Sequence, residues 1–271
     1  MSRMLLILAV WTTVGQAQAP PLPQGSRSMA TYLSGIARTA DPIENVYLNR
    51  ARARGMATLL QRKLPQAQEV KLRVKIATEL LQGGLAREAV EQLEYVYAEI
   101  DKRNVPVAES YHLMLRDLLG IAYLRVGGDE SGMPPHDWVL PMRPQRATPH
   151  AAGPRKAIEF YTANLEQAPE DLAARWLLNI AYMTLGDYPD AVPERWLIPP
   201  EVFASDYDIG AFADVAAAAG VDAIGHAGGS VVDDFDGDGL LDIVASSRGL
   251  TDQLRFFRNG GDGRFSEWSD H

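Results

Sequence analysis

The stretch VVDDFDGDGLLDIV, residues 231–244, decides how this chain is read. Asp233, Asp234, Asp236, Asp238 and Asp242 crowd into it, framed by strand-forming valine, leucine and isoleucine. Crowded carboxylates repel one another, so a cation is expected among them. Asp234, Asp236, Asp238 and Asp242, with Gly239 before the last, spell D-x-D-x-D-G-x-x-D. Alternate residues of a tight loop converge on one point, and glycine permits the sharp turn. Calcium is a hard cation that takes roughly six to eight oxygens. The expected ligand set is therefore Asp234, Asp236, Asp238, the backbone carbonyl of Leu240, and Asp242. An EF-hand is excluded, because its twelfth position would be Ala245 instead of a bidentate glutamate. The flanks GGSVVDDF and LDIVASS also read as strands, not helices. Asp242 must then close the shell, in a loop that joins two strands. Magnesium fits less well, since it prefers a tighter octahedron with retained waters. The alternative is a solvated acidic hairpin without metal.

Two further strands follow, QLRFFRN (253–259) and RFSEWS (264–269), joined by a Gly-Gly-Asp-Gly turn. Four strands in about 45 residues make one propeller blade. AFADVA (211–216) is similar to RFSEWS, so each reads as the closing strand of a unit.

Upstream the pattern changes to helices. Asp41-Pro42-Ile43-Glu44 offers a capping acid, a first-turn proline and a glutamate three residues after the cap, predicting a helix from there to about Lys63. Another is expected over Ser28–Arg38. KIATELLQGGLAREAVEQLEYVY reads as a helix pair turning at Gly83-Gly84. LLGIAYLRVGG (118–128) begins a second pair, RKAIEFYTANLEQAP (155–169) supplies its second helix, and LLNIAYMTLGDYPDA (177–191) starts a third. Pro193, Pro199 and Pro200 keep the third from completing its second helix. ERWLIPPEVF then reads as a hinge into a region starting near Phe203.

These segments resemble tetratricopeptide repeats. Leu119, Gly120 and Tyr123 match the core of a first helix, Ala157, Tyr161 and Pro169 match a second, and Gly186, Tyr188 and Ala191 match the turn of a third. Ala77 stands where the resemblance implies glycine, and no repeat has the early tryptophan in register. A generic helical bundle is the alternative. Inside the second repeat lies a proline-rich insertion, 127–153, with His136, Asp137 and His150. It reads either as a ligand or metal loop built on those three residues, or as a surface loop packed by Trp138 and Val139.

The N-terminus has the form of an export signal: Arg3, an apolar run from Met4 to Val14, and Ala17-Gln18-Ala19 as a cleavage site. A buried N-terminal helix is the alternative. The expected division is a signal peptide at 1–19, a linker at 20–27, helical repeats over 28–200 and a blade over 203–271, in a protein exported to the periplasm or the extracellular space. No other segment is apolar enough for a membrane span. The chain has 271 residues, 46% of them apolar, and no cysteine, so neither disulfides nor a thiol nucleophile enter. Its net charge of −9 is concentrated from Glu201 onward, where 14 acidic residues face 4 basic ones. That balance argues against nucleic acid as a partner. The basic cluster Arg50-Ala-Arg52-Ala-Arg54 fans around a helix and reads as a solvated surface.

The order of export signal, helical repeats, FADVAAAAGV and the aspartate loop with LRFFRNGGDGRF resembles secreted proteins of the ASPIC/UnbV class, similar to cartilage acidic protein. The loop resembles a VCBS/FG-GAP repeat of integrin-like propellers. The resemblance implies an α+β multidomain chain, with an α-helical tetratricopeptide-like solenoid followed by one four-stranded β-propeller blade of FG-GAP/VCBS type. It also implies calcium-ligand roles for Asp234, Asp236, Asp238 and Asp242, and cysteines beside the histidines of the insertion, which are absent. One blade does not close a propeller, so the chain is expected to be an N-terminal part of a longer one, or else to pair with other chains. The implied function is non-enzymatic: a scaffold that binds a protein or peptide in the helical groove. A metal-dependent hydrolase and an integrin-like adhesion protein are the alternatives. No H-E-x-x-H, G-x-S-x-G or phosphate loop supports an enzyme.

Overall fold

The computed structural model describes residues 24–41, 43–102, 107–131, 140, 150–204, 207, 212–225, 227–249 and 252–269. The signal-like segment, His136, Asp137, Trp138 and Val139 lie outside the described residues. The fold is mixed: eight α-helices and one four-stranded antiparallel sheet among the described residues. Contacts divide the chain into two units, Asp41–Ala211, and Phe212–His271 grouped with Met1–Ala40. No helix of the described residues is long and apolar enough to cross a membrane.

Helix α1 spans Gln24–Thr39, longer at both ends than expected and reaching into the stretch read as linker. It carries an exposed apolar stripe of Met29, Tyr32, Leu33 and Ile36. The helix expected to start at Asp41 begins later, as α2, Asn49–Leu59. The Asp41 carboxylate caps only a turn, accepting from the Ile43 amide at 2.8 Å. Beyond it, the Ile43 carbonyl accepts from the Arg52 guanidinium and the Tyr47 amide donates to the Asn45 side chain at 3.0 Å, where a continuing helix would join the two. The basic cluster is likewise not a solvated face throughout. Arg52 pairs with Glu79 at 2.8 Å, and Arg50 donates to the Gly83 carbonyl at 2.6 Å. Two of the three arginines thus tie α2 to the end of the next helix, while Arg54 stays exposed.

Helices α3 (Gln66–Gln82), α4 (Ala86–Lys102), α5 (Glu109–Ser131), α6 (Ala152–Gln167) and α7 (Leu172–Leu185) pack each against the next. α3 and α4 turn at Gly83-Gly84 as the sequence predicts. α5 and α6 approach closely. A Cβ on Gly120 would lie 2.5 Å from the Tyr161 ring, so hydrogen at that position is what lets the helices meet. Tyr161 is fully buried there, with Leu119, Ala157 and Leu165. Its hydroxyl finds no partner among the described residues. Asn164 ties the same two helices, donating to the Leu113 carbonyl at 3.0 Å and to Asp117 at 2.6 Å. Burial pushes the Asp117 carboxyl up, and the Asn164 hydrogen bond partly offsets it.

α7 is capped by the Asp171 carboxylate on the Ala173 and Ala174 amides, both at 3.0 Å, and stops at Gly186. No α-helix follows it before Phe203; two short 3-10 turns, Glu194–Trp196 and Pro200–Phe203, fill the space. This segment is no free hinge. Asn179 is buried in α7, donates to the Trp196 carbonyl at 2.9 Å and accepts from the Ile198 amide at 3.0 Å. The Tyr188 hydroxyl donates to the Ile198 carbonyl at 2.7 Å. Phe203 packs against the rings of Trp176 and Tyr188.

In the second unit, the expected strand at 211–216 is not found among the described residues. The Asp214 carboxylate caps the Ala216 amide at 3.0 Å, and the alanines form a helical turn, α8, Ala216–Ala219. Alanine favours helix, and among the described residues no strand pairs with this segment to outweigh that preference. The sheet is a meander of β1 (Ala227–Asp233), β2 (Asp242–Ser247), β3 (Arg255–Asn259) and β4 (Phe265–Glu267), each paired with the next. Val231 faces Val244, and Asp233 faces Asp242 as the last pair before the loop.

Gly120→Ala is expected to destabilise the helical unit by about 1–3 kcal/mol, by forcing α5 from α6. Tyr161→Phe is expected to cost nothing or to gain up to about 1 kcal/mol, since it removes a buried hydroxyl without a partner. Urea unfolding followed by circular dichroism at the helical band reads both.

Candidate metal centre

The loop between β1 and β2 is built by its own carboxylates. Asp234 accepts from the Gly237 amide at 2.8 Å and the Asp238 amide at 3.1 Å with one oxygen, and from the Gly239 amide at 2.9 Å with the other. Asp236 accepts from the Asp238 amide at 3.1 Å, and Asp238 from the Leu240 amide at 2.9 Å. Each aspartate thus turns the backbone two to five residues on, which is why this residue type recurs. Gly237 and Gly239 sit at φ 78° and 85°, in the left-handed region where a side chain is strained.

Asp242 begins β2 and is fully buried. One oxygen accepts from the Phe235 amide at 3.2 Å, the other from the Asn259 amide at 2.8 Å. One carboxylate therefore joins the loop, β2 and the end of β3. Asn259 extends the junction: its side chain donates to the Leu241 carbonyl and accepts from the Gly261 amide, both at 2.9 Å.

Carboxylate oxygens of Asp234, Asp236 and Asp242 lie within 4.8 Å of one another. Oxygens sharing one calcium ion lie no more than about 5 Å apart, so this spacing fits a common ion. The donors are all oxygen, which suits a hard cation and not zinc or copper. Of the expected ligands, Asp238 stands outside that trio. Its free oxygen accepts from Arg258 at 2.9 Å. Leu240 is fixed in the loop by its amide on Asp238. His150 is exposed just before α6, while His136 and Asp137 lie outside the described residues.

Arg258 completes the site from β3, and no motif in the sequence marks it. It pairs with Asp236 as well as Asp238, and its guanidinium lies 5.3 Å from the centre of the Trp268 ring. The Arg258 hydrogen bond holds the Asp236 carboxyl below the usual carboxylate range, while Asp236 in turn raises Arg258. The sequence shows two arginines on β3, Arg255 and Arg258, and does not say which of them faces the acidic loop. The register became visible only when β3 paired with β2.

Comparison of the sequence with protein-family models, with curated proteins and with solved structures finds no match.

Asp242→Asn replaces one accepting oxygen with a donor that faces a backbone amide. It is expected to cost about 1–3 kcal/mol and to speed hydrogen exchange at Phe235 or Asn259. The Asp236–Arg258 pair gives a pH dependence of known sign. The folded value is depressed, so its small contribution is present above the unfolded value near ~3.9 and is lost as pH falls through the folded one. Side-chain carboxyl NMR should show Asp236 titrating below the usual range, and returning toward it in Arg258→Gln.

Proposed function

We propose that this chain is an exported, non-enzymatic binding protein, with tetratricopeptide-type helical repeats for a protein or peptide partner and a calcium-stabilised blade of FG-GAP/VCBS type. The observation that carries the reading is the convergence of Asp234, Asp236 and Asp242 in a loop between two antiparallel strands. An ion held among these carboxylates, with Asp238 and the Leu240 carbonyl as further oxygens, offsets their repulsion and ties loop to sheet. The carboxylates that would hold the ion also accept the loop's own backbone amides, which favours a stabilising ion over a catalytic one.

The helical unit supports the binding half of the reading. Its helices meet their neighbours in sequence order, the arrangement by which repeats build an extended concave face. Gly120 under Tyr161, with Ala157 beside them, is the small-against-aromatic packing that the tetratricopeptide resemblance implies. The four-stranded meander with the metal loop at its first turn accords with a blade.

Calorimetric titration of the full chain with calcium should show saturable binding, lost in Asp236→Ala. Unchanged binding by that variant refutes the ligand assignment. The same preparation should show no turnover on ester, phosphoester or peptide substrates. Metal-dependent turnover abolished by Asp236→Ala would overturn the non-enzymatic reading in favour of a hydrolase.

A further inference from the structure

Of the three converging carboxylates, Asp236 alone is held by another side chain among the described residues. Asp234 and Asp242 give their oxygens to backbone amides of the loop and of β3. Those contacts are part of the fold and do not leave. Asp236 gives one oxygen to the Asp238 amide and the other to Arg258. Arg258 also takes Asp238, so a single guanidinium bridges two carboxylates of the loop from the neighbouring β3–β4 hairpin. Its planar fork suits that bridge, which an ammonium would not reproduce.

We propose that Arg258 is the built-in counter-ion of the aspartate loop and sets how tightly the loop takes a divalent cation. Without an ion, the guanidinium neutralises Asp236 and Asp238 and keeps the loop closed. An ion entering among Asp234, Asp236 and Asp242 competes with it for Asp236 and repels it. The loop is thereby folded before the ion arrives, and part of the ion's binding energy goes into displacing Arg258. This inference rests on the reading of the loop as a calcium site. The displacement has an optical reporter, because the same guanidinium lies over Trp268.

The test compares the full-length chain with Arg258→Gln and Arg258→Lys by calorimetric titration with calcium chloride. Arg258→Gln should bind roughly three- to tenfold more tightly, and Arg258→Lys should fall between it and the parent. In EGTA, hydrogen exchange over residues 234–242 should be faster in Arg258→Gln than in the parent, and the difference should vanish in saturating calcium. Calcium should change the tryptophan emission of the parent, and Trp268→Phe should remove that change. Equal or weaker calcium binding by Arg258→Gln overturns the proposal, since the guanidinium then orients a ligand instead of competing with the ion. Unchanged exchange in EGTA overturns it equally. If the parent binds no calcium, the metal reading of the loop fails and the competition falls with it. If both proteins bind alike, only the competition fails.

Discussion

The second unit depends on one buried carboxylate. Asp242 is wholly withdrawn from solvent, and its two oxygens satisfy two amides that no strand partner reaches, those of Phe235 and Asn259. An isolated buried charge is costly, and here backbone dipoles from two directions offset the loss of water. Everything around it follows from that arrangement. The loop is tied to β2 through the Phe235 amide, Asn259 joins it to the β3–β4 turn, and carboxylate oxygens of Asp234 and Asp236 come within 4.8 Å of one on Asp242. Phe235, whose amide Asp242 holds, then sets its ring edge-on against Phe256, with centroids 6.1 Å apart.

The helical unit is organised by the reverse device, a missing side chain. Gly120 allows Tyr161 to lie against the α5 backbone, and the buried Asn164–Asp117 hydrogen bond fixes how the two helices face. Further along, Asn179 and Arg175 on α7 hold the carbonyls of Trp196 and Leu197. A proline-rich segment that cannot form a helix is thereby given hydrogen-bond partners, with Trp196 buried beneath it. Polar side chains inside α7 do the work that a paired helix would do elsewhere.

Charge balance is the theme common to the loop and its hairpin. Four aspartates in nine residues need positive charge, and Arg258 provides some of it from the adjacent strand. Asp234 and Asp242 have only amide donors among the described residues. Backbone amides and the guanidinium together hold the loop's carboxylates in place.

The sequence by itself determined the element types wherever a periodic pattern or a rigid residue left little choice. The helix pair at Gly83-Gly84, the end of α7 at Gly186 and the four strands with their glycine-bearing turns were legible because each is a local matter of backbone conformation and residue period. The alternation of aspartates with Gly239 likewise announced a turn that gathers carboxylates. Elsewhere the outcome departs from the local pattern. The Asp41 cap closes only a turn, with the Ile43 carbonyl taken by Arg52 of α2, and FADVA pairs with no strand among the described residues while the alanines form a helical turn. Which aspartates converge, that Asp238 faces Arg258 while Asp242 is buried, and that Asn259 locks the two turns together were decided only by the tertiary structure. Those facts depend on strand register, which brings residues about twenty positions apart into contact, and no local pattern encodes that distance.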